Sequence, residues 1–198
     1  MKGFIVALCL LFSTSVVVAQ SIESKIRSYA RKEYPNNERM QNFIYEKQMT
    51  DYKFMLNVTD YESKRKAESK YPDNYSMQKF VYENEIKSKR SLNSATDNEV
   101  MEIAKTKYPD DYSMQKFVYE QQLEAKNFMI SADVYEVKSI ARDKYPDDYS
   151  MQKFVYEQQL EAKEYMSNAT NYSAKRNAEE KYPNDYTMQK FIYDQLNE

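Results

Sequence analysis

Lys107-Tyr108-Pro109-Asp110-Asp111-Tyr112-Ser113-Met114-Gln115-Lys116-Phe117-Val118-Tyr119-Glu120, continued to Lys126, returns residue for residue as Lys144 to Lys163. The Tyr-Pro pair inside it begins at Tyr34, Tyr71, Tyr108, Tyr145 and Tyr182, each 37 residues after the last, and uses all five prolines of the chain. Met, Gln, Phe, a β-branched residue and Tyr follow at the same offsets every time, as in Met40, Gln41, Phe43, Ile44 and Tyr45. A fixed period of this length marks units that bury their apolar faces on their neighbours.

Each unit reads as two helices. Proline disfavours helix at the Tyr before it, so Tyr-Pro ends the first element. That first helix carries Val137, Ile140, Ala141 and Tyr145 on one face in the fourth copy, the spacing of a buried stripe. Ala30, Ala67, Ala104, Ala141 and Ala178 recur there, small enough for close helix contact. Thr59 with Glu62, Thr96 with Glu99 and Asp133 with Glu136 suggest capping boxes at its start. Asp110-Asp111 suits a turn and the positive end of the next helix, which is expected from about Tyr112 to Met129. Ile130-Ser131-Ala132 would then connect to the next unit.

On a helical wheel Met114, Phe117, Val118, Ala125, Phe128 and Met129 fall within one sector of roughly 120°. Gln115, Tyr119, Gln122 and Leu123 make a second strip beside it, and Lys116, Glu120, Glu124 and Asn127 fill the polar face. A helix held between its own partner and the next unit needs both strips. The expected packing residues are therefore Met114, Gln115, Phe117, Val118 and Tyr119, with Ala104 and Tyr108 from the first helix.

The expected fold is all-α: five tandem helix-turn-helix repeats of about 37 residues, forming an α-solenoid or elongated antiparallel helical array. The register divides the chain into residues 20–58, 59–95, 96–132, 133–169 and a shorter fifth copy, 170–198. In shape alone this resembles the helix-hairpin class that includes tetratricopeptide repeats. The period differs, and the Gly and Trp positions of that consensus cannot be met by this chain.

Residues 1–19 read differently. Lys2 precedes an apolar run from Phe4 to Val18, and Val17-Val18-Ala19 places a small residue before Gln20. This is the layout of a secretory signal peptide cleaved near Ala19-Gln20, and the run is too short and hydroxyl-broken for a permanent span. The expected location is secreted or periplasmic.

Composition narrows the chemistry. The 198 residues include no His, no Trp, one Gly and one Cys, and Gly3 and Cys9 both lie within the expected signal. Residues 20–198 can thus build no Ser-His-Asp or Cys-His site, no ordinary zinc or haem site and no Gly-rich phosphate loop. No catalytic residue, cofactor or metal is expected. The acidic turns lack the alternating ligands, Gly and terminal Glu of a calcium loop.

Partner-facing candidates remain. Tyr75, Tyr112, Tyr149 and Tyr186 open the second helices and offer apolar area with a hydroxyl. Gln41, Gln78, Gln115, Gln152 and Gln189 would form a hydrogen-bond ladder if units stack. Asn57, Asn74, Asn168 and Asn171 stand in Asn-x-Ser/Thr sequences, where Asn also suits turns.

Charge runs from +2 and +2 over residues 22–58 and 59–95 to −3, −3 and −1 over the three later units. Lys64-Arg65-Lys66 concentrates the positive end and could meet an anionic envelope or the acidic half of another copy. The acidic total and the export signal argue against nucleic acid. The sequence therefore points to an exported, non-catalytic protein-binding or structural module, with a protein or cell-envelope partner and possible homo-oligomers. Envelope docking through the basic first two repeats is the main alternative, and a carboxylate-dependent hydrolase the other.

Overall fold

The computed structural model describes residues 21–197; the expected signal and its cleavage point lie outside the described residues. Short and long helices alternate: α1 (residues 21–33), α2 (Glu38–Leu56), α3 (Tyr61–Lys70), α4 (Tyr75–Asn93), α5 (Asn98–Lys107), α6 (Tyr112–Ser131), α7 (Tyr135–Lys144), α8 (Tyr149–Ser167), α9 (Tyr172–Lys181) and α10 (Tyr186–Asn197). The described residues contain no strand, so the chain is all-α. None of them takes a positive φ. The short helices α3, α5, α7 and α9 end instead on their pre-proline Tyr with a non-helical backbone, such as Tyr108 at φ −139°, ψ 71°. Turns built this way need no Gly.

The chain divides between Arg90 and Ser91 into two compact units. In unit 1, Met55, Ala67, Val81 and Tyr82 form a core flanked by Phe54, Val58, Tyr71 and Ile86. In unit 2 each short helix packs on the long helix that follows it, and the long helices α6, α8 and α10 contact one another in order, consistent with a helical array. Its cores are Val100, Ala104, Val118 and Tyr119 with Leu92, then Met129, Val137, Ala141, Val155 and Tyr156, then Met166, Ala174, Ala178 and Tyr193.

Two local expectations are corrected. The short-helix caps fall one residue later than the Thr positions. Asp60, Asp97 and Asn171 accept from the backbone N–H of Ser63, Val100 and Ala174 at 3.0, 3.1 and 3.1 Å. Asp and Asn cap more strongly than Thr, and this register also buries the residue three positions into the helix. In α7 the cap position holds Val134, which makes no side-chain bond. Its N–H donates to the Tyr156 hydroxyl at 3.3 Å instead. Helix α6 also runs on through Ser131, so Ile130 and Ser131 of the expected connector are helical and Ala132 is the cap.

The second correction concerns the seam of α6. Gln115, Val118, Tyr119, Gln122, Ala125 and Met129 are buried, a line of alternating three- and four-residue steps. The seam thus runs between the two expected strips, because α6 is covered from one side by α5 and from the other by α8. Met114 and Phe128 are only half-buried. Phe117, expected in the packing stripe, points outward.

Candidate interaction surface

The side chains that recur do one job in every copy. Gln115 Nε2 donates back to the carbonyls of Tyr108 and Pro109 at 2.7 and 3.0 Å. Gln41, Gln78, Gln152 and Gln189 do the same to Tyr34, Tyr71, Tyr145 and Tyr182, each at 2.7 Å. These glutamines do not form the expected ladder between units. Each one locks its own Tyr-Pro turn by donating to carbonyls that lie past the end of the short helix, where the helical ladder supplies no N–H.

The link between hairpins is the other glutamine of the seam. Gln122 Nε2 donates to the cap carboxylate Asp148 at 2.7 Å, and its Oε1 accepts from Ser150 N–H at 3.3 Å. Gln159 spans to Asp185 at 2.8 Å and accepts from Tyr186 N–H at 2.7 Å. In unit 1 Gln48 does this with Asn74 at 2.8 Å and Tyr75 N–H at 2.7 Å. One buried amide therefore satisfies both the cap side chain and a first-turn N–H of the next long helix.

Tyrosines and lysines complete the joint. The hydroxyls of Tyr119 and Tyr193 accept from the cap N–H groups of Asp97 and Asn171, each at 3.3 Å. The Tyr82, Tyr156 and Tyr193 rings meet Phe54, Phe128 and Tyr165 edge-on, with centroids 6.1, 5.7 and 6.1 Å apart. Lys79, Lys153 and Lys190 lie over those same partner rings at 4.8, 5.1 and 4.8 Å. Lys126 Nζ bridges Asp97 and Glu99 at 2.8 and 2.7 Å. These bonds hold both carboxyls below their ordinary range and push the ammonium up. Lys163 pairs with Glu136 at the same place in the next hairpin.

The candidate tyrosines are half-buried; Tyr75, Tyr149 and Tyr186 engage the preceding hairpin and Tyr112 the core of its own. Tyr149 donates to Glu99 at 2.7 Å beneath Lys126, and burial raises its hydroxyl pKa. Tyr186 packs on the core around Met129 and Val137, and Tyr112 on the core around Val100 and Ala104. Tyr75 meets Tyr52 edge-on at 5.0 Å. The basic run is dispersed: Arg65 is exposed, Lys64 lies 4.0 Å from Glu68, and Lys66 pairs with buried Glu85 at 3.0 Å. The Asn side chains of the four Asn-x-Ser/Thr sequences are all engaged: Asn57 and Asn168 donate to the helix-terminal carbonyls of Lys53 and Glu164, Asn171 caps Ala174 N–H, and Asn74 donates to the distant Tyr29 hydroxyl at 2.8 Å.

The surface feature that the wheel misplaced is a row of phenylalanines. Phe43, Phe80, Phe117, Phe154 and Phe191 stand at one register of the five long helices and are 52% to 60% exposed. The signal was present: Phe117 shares its face with Glu120, Gln121 and Glu124, three, four and seven residues on, all polar. Single exposed apolar residues are ordinary. Within each unit, a repeated one on neighbouring long helices makes a stripe.

Among the described residues no group of three or more acidic, His or Cys side chains converges to hold a metal ion. No described helix is long and apolar enough to cross a membrane. Comparison with family models, curated proteins and solved structures returns no match.

Proposed function

We infer that this chain is an exported helical-repeat protein whose hairpins stack as a solenoid, and that it works as a non-catalytic protein-binding or structural module. The observation that supports this most is the recurrence of one bond set at a 37-residue step. A Gln-to-turn lock closes each hairpin, and within each unit a Gln-to-cap bridge from α2, α6 and α8 reaches the next hairpin. Such a joint spends the buried polar groups on assembly and leaves the outer face of the long helices, with its phenylalanines, for a partner. The partner is a protein or a cell-envelope component, reached after signal cleavage near Ala19-Gln20.

Removing one whole period tests the array. A chain lacking residues 133–169 keeps every joint in register, so it is expected to stay soluble, with helicity per residue unchanged and a lower unfolding midpoint. Aggregation or loss of helicity on that deletion would refute stacking by interchangeable units. Mass spectrometry of the exported protein should find an N-terminus near Gln20. An intact Met1 on a cytosolic chain would remove the location from the reading.

A further inference from the structure

The two units turn opposite charges outward at the same register. Seven and ten residues after each outward Phe, unit 1 carries Thr50 and Lys53 on α2 and Lys87 and Arg90 on α4. Unit 2 carries Glu124 and Asn127 on α6 and Glu161 and Glu164 on α8 at those positions. All eight are exposed. The wider faces agree. Around Phe43 and Phe80, Lys47, Lys53, Lys87 and Arg90 stand against Glu46 and Glu83. Around Phe117, Phe154 and Phe191, six carboxylates stand against Lys116, Lys153 and Lys190. Those three lysines already sit in ion pairs with Glu120, Glu124 and Glu161.

The two Phe rows also stand on helices joined in the same way. In unit 1, α2 and α4 are joined by the Gln48 bridge and the Phe54–Tyr82 contact. In unit 2, α6 and α8 are joined by the equivalent Gln122 bridge and Phe128–Tyr156 contact. Equivalent joints thus link neighbouring long helices in both units. Two such faces can interdigitate their rings while the flanking charges pair.

We propose that the Phe-bearing face of unit 1 docks on the Phe-bearing face of unit 2 of a second copy of this chain. This deepens the module reading above by naming one partner. The occupant is a second copy because this chain itself carries the surface of opposite sign, equivalent joints and like aromatic content. Apolar stripes give such an interface its area, and complementary charge gives it register and excludes like-on-like pairing.

Sedimentation velocity on the full exported chain tests this, from about 1 to 100 µM in low and high salt. The expected result is association that strengthens with concentration and weakens in salt. Lys87→Glu with Arg90→Glu should weaken it at least about tenfold, and so should Glu161→Lys with Glu164→Lys. Mixing those two monomeric variants should restore association, since each now complements the other. Phe117→Ser with Phe154→Ser should weaken it without changing the salt dependence. Circular dichroism matching the parent chain confirms that each variant is folded, and Lys87→Gln with Arg90→Gln supplies a milder step of the same sign. A monomer at every concentration in low salt overturns the proposal, as does association indifferent to either reversal or a mixture that stays monomeric. Monomers that bind anionic phosphatidylserine vesicles through Lys87 and Arg90 would assign the face to lipid instead. A helical monomer of this kind would leave the module reading standing, whereas a failed one-period deletion would remove it.

Discussion

In the seam of unit 2, Ala125 and Ala162 are buried against neighbouring helices. The same register in unit 1 holds buried Asp51 and Ser88. Asp51 accepts from Ser76 Oγ at 2.7 Å and from Lys47 at 3.0 Å, with Lys79 at 3.2 Å. Where unit 2 has the neutral bridges Gln122 and Gln159, α4 has buried Glu85, paired with Lys66. Where unit 2 has Val100, Val137 and Ala174 in the short helices, unit 1 has Ile26 in α1 but Ser63 in α3. The Ser63 hydroxyl is buried without a hydrogen-bond partner among the described residues. One backbone plan is thus held in unit 2 by apolar contact and neutral amides, and in unit 1 partly by compensated charge. A buried carboxylate is tolerated when a long Lys reaches it from a more exposed position, yet replacing such a pair with apolar groups is often stabilising. Helix α4, which contains the boundary, departs most from the shared pattern, with Glu85, Ser88 and Ser91 where α6 has Gln122, Ala125 and Phe128.

Exchanging residues between the units tests this contrast most severely. Val137 is fully buried in its core, and Val137→Ser removes methyl contacts and buries a hydroxyl. It is expected to cost about 2–4 kcal/mol. Native-state hydrogen exchange should show the lost protection in α7 and α8, with α1 to α3 unchanged. The reverse substitution, Ser63→Val, installs in α3 the residue that α5 and α7 already hold at that position. It is expected to gain about 1–2 kcal/mol, a rise of a few degrees in Tm for a chain of this size. If Ser63→Val destabilised the protein, the buried hydroxyl would have to be satisfied or the site too small for Val. The contrast between the units would then fail at its clearest position.

The repeat, the alternation of two helix lengths and the turn at each Tyr-Pro were legible because period, proline and apolar spacing are local properties. Ala104, Tyr108, Val118 and Tyr119 pack as their spacing implied. The direction of an amide is not local. Gln115 and Gln122 look interchangeable in sequence, but one faces its own turn and the other the next hairpin. Only the placement of the carbonyls at Tyr108 and the cap at Asp148 separates them. The Phe117 error has a related cause. The wheel weighted apolar character, whereas coverage from two sides rotated the seam towards the glutamines. Tyr149 could not be judged from composition either, because its hydroxyl partner Glu99 lies in the preceding hairpin.

A smaller effect separates the clasps at the short-helix caps. Lys126 binds Asp97 and Glu99 in unit 2, while Lys89 in unit 1 lies 2.8 Å from Asp60 and 3.6 Å from Glu62. Lys126→Met is expected to cost under about 1 kcal/mol at neutral pH, since these groups are solvent-screened. The sign follows from linkage. Asp97 and Glu99 are held below their ordinary values of 3.8 and 4.5, so their stabilisation is complete above those values. It is lost as pH falls through the lowered ones. The Lys126 ammonium is raised above 10.5, so its share is complete below that value and lost only in stronger alkali. The difference between parent and variant should therefore be flat from about pH 5 to about pH 10 and vanish towards acid. Urea midpoints across that range check it, and a difference that grew in acid would mean that Lys126 does not stabilise through these carboxylates.

The smallest expected change sits at the residue the wheel placed in the core. Phe117 keeps about half its surface in water and belongs to none of the buried clusters. Its replacement by Ser should shift the stability of the monomer by no more than about 0.5 kcal/mol. Tyr119, two residues on, is buried with its hydroxyl on the α5 cap. Tyr119→Ser should cost several times more, about 3 kcal/mol. The pair decides whether α6 presents its ring to the outside or to its neighbours. Comparable costs would mean that the long helices turn their phenylalanines inward in solution. A large gap would mean that phenylalanine at this register, repeated in all five long helices, adds little to the fold and stands free on the outer face for the docking proposed above.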